Sequence, residues 1–187
     1  LNYLDIKTVV VSCGTCFDQL QGYEFDKIFP GSRILDIHEY LLEKQLSLPA
    51  GGSYLYHDPC HSPMKQQAPM KTVKALLGEQ VLESKRCCGE SGGLAYSRPD
   101  VSTQIRFRKE AEMVKGADKL RADGFEGEVK ILTSCPSCLQ GLASYNDDSA
   151  TTADYIVVEI ARNLLGANWM PEYVERANSG GIERVLV

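Results

Sequence analysis

Residues 130–142 read Lys-Ile-Leu-Thr-Ser-Cys-Pro-Ser-Cys-Leu-Gln-Gly-Leu, a β-rich run that leads straight into the pair Cys135 and Cys138. Residues 9–20, Val-Val-Val-Ser-Cys-Gly-Thr-Cys-Phe-Asp-Gln-Leu, echo it: an apolar run, a serine, C-x-x-C, a bulky apolar residue, and a leucine three further on. A third run, Ser53-Tyr54-Leu55-Tyr56, leads into Cys60. Short β-rich runs separated by helical stretches read as strands of a largely parallel sheet. Open sheets of this kind place their sites on loops at the carboxyl ends of the strands. The expected fold is therefore α/β: a parallel-rich sheet flanked by helices, a Rossmann-like half-repeat with its cysteine loops at strand ends.

Helices fill the gaps. Asp36 with Glu39 reads as a capping box ahead of Ile37, Tyr40 and Leu41. Pro69 suits a first helical position before Val73, Leu76 and Leu77, with Gly78 as a stop. From Ser102 to Leu120 the spacing of Phe107, Ala111, Val114 and Ala117 predicts one apolar helix face. A last helix carries Ile156, Val157, Ile160, Ala161, Leu164 and Leu165 and ends at Gly166. Beyond it, Pro171 and Ser179-Gly180-Gly181 predict a broken tail, with residues 183–187 as one more strand.

Composition narrows the function classes. The chain has 187 residues, 43% apolar and 24% charged, enough for a buried core. Its net charge of -5 argues against a general nucleic-acid binder, which needs a basic face. No apolar run is long enough to cross a bilayer, and the first residues lack the order of a signal peptide. Seven cysteines, an odd number that includes an adjacent pair, suit a reducing compartment better than a disulfide scaffold. The ends read as cut from a larger polypeptide. Pairs such as Glu24-Asp26 and Asp147-Asp148 lack catalytic context, and residues 89–93 do not make a dinucleotide fingerprint. No independent flavin or nicotinamide site is expected.

Cys60, Cys87, Cys88, Cys135 and Cys138 form one spaced set. Tetrahedral zinc needs only four ligands, so a fifth thiol points toward an iron-sulfur cluster. Adjacent cysteines can face one centre only across a sharp turn, and Gly89-Glu90-Ser91-Gly92-Gly93 supplies the glycines for it. Lys85 and Arg86 either ease the thiolate charge or form a solvated basic corner. Two alternatives remain: a zinc-binding structural or interaction domain without a redox role, and a thiol–disulfide enzyme working through Cys87-Cys88 or a C-x-x-C. Cys13 and Cys16 taken alone offer half a metal site, free thiols or a disulfide formed on handling. In the run around Cys60, His57 and His61 could ligate metal, donate to sulfur or carry a proton. The plainer reading makes Asp58-Pro59 a turn and the histidines loop caps, with no direct ligation. His38 lies in a helical stretch and reads as a satisfied surface or core residue, and no residue is assigned a catalytic role.

The order C…CCG…C-x-x-C resembles the cysteine-rich CCG domain, which occurs in one of the subunits of heterodisulfide reductase and in iron-sulfur subunits of glycolate oxidase and lactate-utilisation enzymes. The likeness covers about residues 8–165. Such proteins carry two copies. The resemblance therefore implies that residues 1–50 are the end of a truncated first repeat, closed by Cys13 and Cys16, and residues 51–187 a complete second one, packed as one globular unit. It implies that Cys60, Cys87, Cys88, Cys135 and Cys138, with Gly89 beside them, bind a [4Fe-4S] cluster, cubane or non-cubane. It further implies the electron-transfer part of an FAD-dependent oxidoreductase, acting on a 2-hydroxy acid or resembling heterodisulfide reductase. FAD would then sit in a partner domain or subunit, and the acceptor would be a quinone, a thiol or a disulfide. The expected location is cytoplasmic, with contact at the inner face of the membrane only through a partner. The chain departs from the pattern in a shorter gap from Cys60 to Cys87 and a longer one from Cys88 to Cys135, filled by a charged helix.

Overall fold

Apolar runs buried on both faces need helices on both sides of the sheet, and the chain supplies them. A computed structural model describes residues 4–47, 52–90 and 93–180. Its elements run β1 (Thr8–Val11), α1 (Gly14–Gly22), α2 (Phe25–Ile28), β2 (Arg33–Asp36), α3 (Ile37–Glu43), β3 (Tyr54–His57), α4 (Pro69–Leu77) and β4 (Val81–Glu83). Then follow α5 (Leu94–Ser97), α6 (Pro99–Ala122), β5 (Lys130–Thr133), α7 (Pro136–Ala143), α8 (Asn146–Ser149), β6 (Thr152–Tyr155), α9 (Ile156–Leu165) and α10 (Trp169–Gly180). One sheet has the order β4-β3-β5-β6 and the other pairs β1 with β2. Every pairing is parallel, as the α/β expectation required.

The strand period of two sorts the core. Tyr54, Tyr56 and Leu132 face Val73, Leu76 and Leu77 of α4 and Ile156 and Ile160 of α9. Leu55 and Ile131 face the other way, onto Met113, Ala117 and Leu120 of α6 and Leu142 of α7. Cys88 and Cys138 belong to that second cluster, so the site grows out of the core.

Helix ends follow local chemistry. Pro69 opens α4 and Gly78 closes it at φ +99°. Asp36 caps α3, accepting from the His38 N–H at 2.9 Å and the Glu39 N–H at 3.4 Å. The box is not closed. Glu39 instead accepts the backbone N–H of Gln66 at 2.6 Å and of Gln67 at 3.3 Å, tying α3 to the segment beyond Cys60.

Two expectations need correcting. The buried face of α6 is Ser102, Lys109, Met113, Ala117 and Leu120, while Phe107 is 66% exposed. The helix rolls toward the sheet because Gly116 lets it settle on Leu55, where a Cβ would come within 2.9 Å. The tail does not break at Pro171, which lies in the first turn of α10, where its missing N–H has no partner to lose. The strand expected at 183–187 lies outside the described residues, as do Ser91 and Gly92 of the glycine run.

The sequence echo extends well past the cysteines. β1–α1–α2–β2–α3 and β5–α7–α8–β6–α9 have the same order of elements, and in each the two strands pair in parallel. Cys13 and Cys135 both cap the helix that follows, with extended backbones of φ -136° and -129°. The first copy packs closely on the loop after Cys60: a Cβ on Gly14 would fall 1.6 Å from the His61 carbonyl oxygen. Asp18 adds polar contacts there, 2.9 Å from both His61 Nδ1 and Lys65 Nζ.

Candidate metal centre

Three strand ends assemble the site. β3 ends at His57, and Cys60 follows after Asp58 and Pro59. β4 leads through Ser84 to Arg86 into Cys87-Cys88-Gly89. β5 leads through Ser134 to Cys135, which caps α7, and Cys138 sits in the first turn of that helix. Register aligns His57 with Thr133, so both loops leave the sheet at one level.

Cys88 Sγ lies 3.4 Å from Cys138 Sγ. His57, Cys88 and Cys138 are all buried, and one ligand atom from each lies within 4.8 Å of the other two. Nitrogen and two sulfurs at that spacing make a site able to hold a metal ion. The remaining thiols continue outward. Cys135 adjoins Cys138, and Cys60 is shifted by the fields of Cys87 and Cys88. Cys87 accepts the Gly89 N–H at 3.5 Å. The five cysteines thus form a chain of neighbours running from the core to the surface, where Cys60 is exposed.

Their electrostatics separate the thiols. The Cys88 thiol is pulled down to about 4, chiefly by a hydrogen bond from Cys138, against burial and with help from His57 and the Glu90 backbone. Cys135 is pulled down to about 6, again chiefly by Cys138, with help from the first-turn N–H groups of Cys138 and Ser137. Cys138 is pushed far up because it donates to both and is buried. Partial burial first, then Cys87 and Cys88, hold Cys60 up.

Gly89 meets two demands at once. Its φ is +78°, and a Cβ there would lie 2.7 Å from Arg106 Cγ on α6. From the other side the Tyr145 hydroxyl donates to the Cys88 carbonyl at 3.0 Å. The cysteine turn is therefore clamped between α6 and the α7–α8 corner.

Sequence reasoning sets His57 aside as a ligand, yet its ring stands in the buried trio. The signal was available: His57 is the last residue of a central strand, the usual address for a site in such sheets. Its Nδ1 lies 3.3 Å from the Ser84 carbonyl and 3.2 Å from Lys109 Nζ, and its buried Nε2 has no hydrogen-bond partner among the described residues. Nε2 is thus the ring atom left over for the sulfurs. Asp58 and His61 point elsewhere, to the Tyr56 hydroxyl and to Asp18. Lys85 pairs with Glu83 at the surface, so the solvated-corner reading of that residue holds.

Cys13 and Cys16 stand as a separate pair. Cys16 is exposed, its thiol raised by its hydrogen bond with Cys13. A recess of about 210 Å³ lined by Ser12, Cys13, His38, Ser134, Pro136 and Tyr155 lies where the two copies meet. Burial, then the fields of Cys135, Cys13 and Cys138, raise the Tyr155 phenol, so that residue stands near both C-x-x-C turns. His38 is a core residue, fully buried with Nδ1 2.8 Å from Asp36 Oδ2.

Residues 54–143 match the family model of the cysteine-rich CCG domain. This segment is a CCG domain. A domain of unknown function (DUF3400) matches residues 143–187 beyond it. A fumarate reductase (CoM/CoB) subunit of Methanothermobacter marburgensis is 27% identical over 140 residues, 70% of this chain and 26% of the relative. An uncharacterised iron-sulfur protein of Methanococcus maripaludis is 30% identical over 145 residues, 73% of this chain and 27% of the relative. A subunit of the dihydromethanophenazine:CoB–CoM heterodisulfide reductase of Methanosarcina barkeri is 28% identical over 131 residues, 63% of this chain and 29% of the relative. The chain spans between a quarter and a third of the length of these relatives. No solved structure matches it. No helix among the described residues is long and apolar enough to cross a membrane.

Proposed function

We propose that the CCG domain holds an iron-sulfur cluster of the [4Fe-4S] kind on Cys60, Cys87, Cys88, Cys135 and Cys138, and relays electrons as part of a larger oxidoreductase. The observation that carries this is the 3.4 Å approach of Cys88 to Cys138, with Cys135 beside Cys138 and Cys60 within the field of Cys87 and Cys88. The donor set fits. Two thiols ionise at about 4 and about 6, and backbone N–H groups of Gly89, Ser137 and Cys138 are turned on sulfur. When bound, such a cluster supplies reversible electron transfer.

The protein's own groups do the rest. Gly89 lets the backbone come close, and the α7 N-terminus stabilises negative sulfur at Cys135. With Lys109 donating to Nδ1, His57 carries its proton on Nε2 and donates toward the buried sulfurs. Electrons would come from a flavin-containing domain or subunit and pass to a quinone, thiol or disulfide. Two of the relatives named above are reductase subunits and the third is an iron-sulfur protein, which agrees with that role. Seven free cysteines suit a reducing, cytoplasmic setting.

Anaerobic loading with iron and sulfide tests the reading. About four irons and four acid-labile sulfides per chain are expected, with broad visible absorbance that Cys88→Ser abolishes. A colourless protein that retains no iron would sink it.

A second reading is favoured by the mixed trio of His57, Cys88 and Cys138: zinc in a structural site without a redox role. It requires the other histidine tautomer, with the Nδ1 proton on the Ser84 carbonyl and the Nε2 lone pair free. Stoichiometric zinc that resists iron loading would establish it.

A further inference from the structure

The stretch between Cys88 and Cys135 holds α6, and one face of that helix lies along the cysteine turn. Ile105 and Arg106 meet Gly89, and one and two turns on come Lys109 and Glu112. Arg106 also stacks on the Tyr145 ring at 5.5 Å.

Lys109 is the unusual member. Its side chain is fully buried, which is costly for an ammonium unless acceptors surround it. They do. Ser84 Oγ lies at 2.6 Å, the Ser84 carbonyl at 3.1 Å, His57 Nδ1 at 3.2 Å and Glu112 Oε2 at 3.4 Å. The Ser84 hydroxyl gives its own proton to Glu112 at 2.7 Å, so its lone pairs are free for Lys109. Glu112 also accepts the Arg86 N–H at 3.0 Å. Burial pushes the Lys109 ammonium down, while Glu112 and then the Cys88 and Cys138 sulfurs push it back up, which places the cation within their field.

We propose that Lys109 and Glu112 are positioning residues of the thiol centre. Lys109 fixes Ser84 and His57 behind Cys88 and places one positive charge beneath the buried sulfurs, and Glu112 trims that charge while holding Arg86. The charge half of this proposal rests on the iron-sulfur reading above; the clamp half does not.

The test uses Lys109→Met and Glu112→Gln in the whole chain, with Lys115→Met on the exposed face of α6 as control. In metal-free protein, Lys109→Met speeds amide exchange across residues 84–89 by about tenfold or more, and Lys115→Met does not. In protein loaded with iron and sulfide, Lys109→Met lowers the midpoint potential and Glu112→Gln raises it, because reduction adds negative charge. A purely structural role would not give shifts of opposite sign. Equal or same-direction shifts overturn the charge assignment, and unchanged exchange overturns the clamp. If the wild-type chain takes up no iron, the iron-sulfur reading falls, and the exchange result alone decides for or against the clamp.

Discussion

Cys88 and Cys138 bring their sulfurs to 3.4 Å across 50 residues of chain, one from a turn held by a left-handed glycine and the other from a helix first turn. Neither loop could do this alone, because each is aimed by the strand before it.

The pair should therefore act as one unit in metal binding. Cys88→Ser and Cys138→Ser are each expected to abolish uptake of iron by anaerobically loaded protein, whereas Cys16→Ser, at an exposed thiol outside the chain of five, leaves iron content unchanged. Elemental analysis of the three variants decides it.

Metal-free protein should show graded thiol reactivity. Cys135 is half-buried and its thiol ionises at about 6, while Cys16 and Cys60 are exposed with raised thiols. At pH 7 iodoacetamide is expected to modify Cys135 ahead of Cys16 and Cys60, because the thiolate is the nucleophile. The Cys135 rate should fall as pH drops through about 6. Peptide mass mapping over a pH series checks both.

Gly89→Ala should destabilise the fold by about 1–2 kcal/mol, the cost of holding a Cβ in left-handed backbone. The clash with Arg106 adds to this, so Arg106→Ala should recover part of the loss but not all of it. Urea midpoints of the single and double variants measure the two contributions.

Glu159 supplies a pH signature away from the thiols. Burial pushes its carboxyl up, but Lys130 at 2.8 Å, then the Tyr54 hydroxyl at 3.1 Å and Arg162 at 2.6 Å, hold it below the ordinary glutamate value. A lowered folded pKa adds stability that is fully present above the unfolded value and is lost as pH falls through the folded one. Glu159→Gln should thus cost about 1–3 kcal/mol near pH 7. The gap to wild type should close in acid, below the ordinary glutamate range, and a pH-independent gap would contradict this assignment.

Much of this architecture was legible in the residues. The runs before Cys60 and Cys135 became β3 and β5, buried almost throughout, because such strands need largely apolar side chains, and the run before Cys13 became β1, which is only partly buried. Pro69 with Gly78, and Gly166, marked helix ends because each fixes or frees φ in a way no neighbour can override. β2, β4 and β6 carry no such signal: Arg33–Asp36, Val81–Glu83 and Thr152–Tyr155 mix charge with a few apolar residues and pair only at edges of their sheets. The face of α6 is misleading in sequence because Phe107 and Ala111 set a tidy period, whereas the cysteine turn needs Lys109 and Glu112 instead. Nothing local marks Lys109 as buried; apart from Glu112 on the same helix, its acceptors come from β3 and the segment after β4.

The alignment of His57 with Thr133 has an evolutionary corollary. Because β5 is wedged between β3 and β6, the excursion from Cys88 to Cys135 can lengthen or shorten without shifting the level at which its last cysteines emerge. Linear spacing is then a loose ruler for kinship in such proteins. What selection has to preserve is the order in which neighbouring strands are laid side by side.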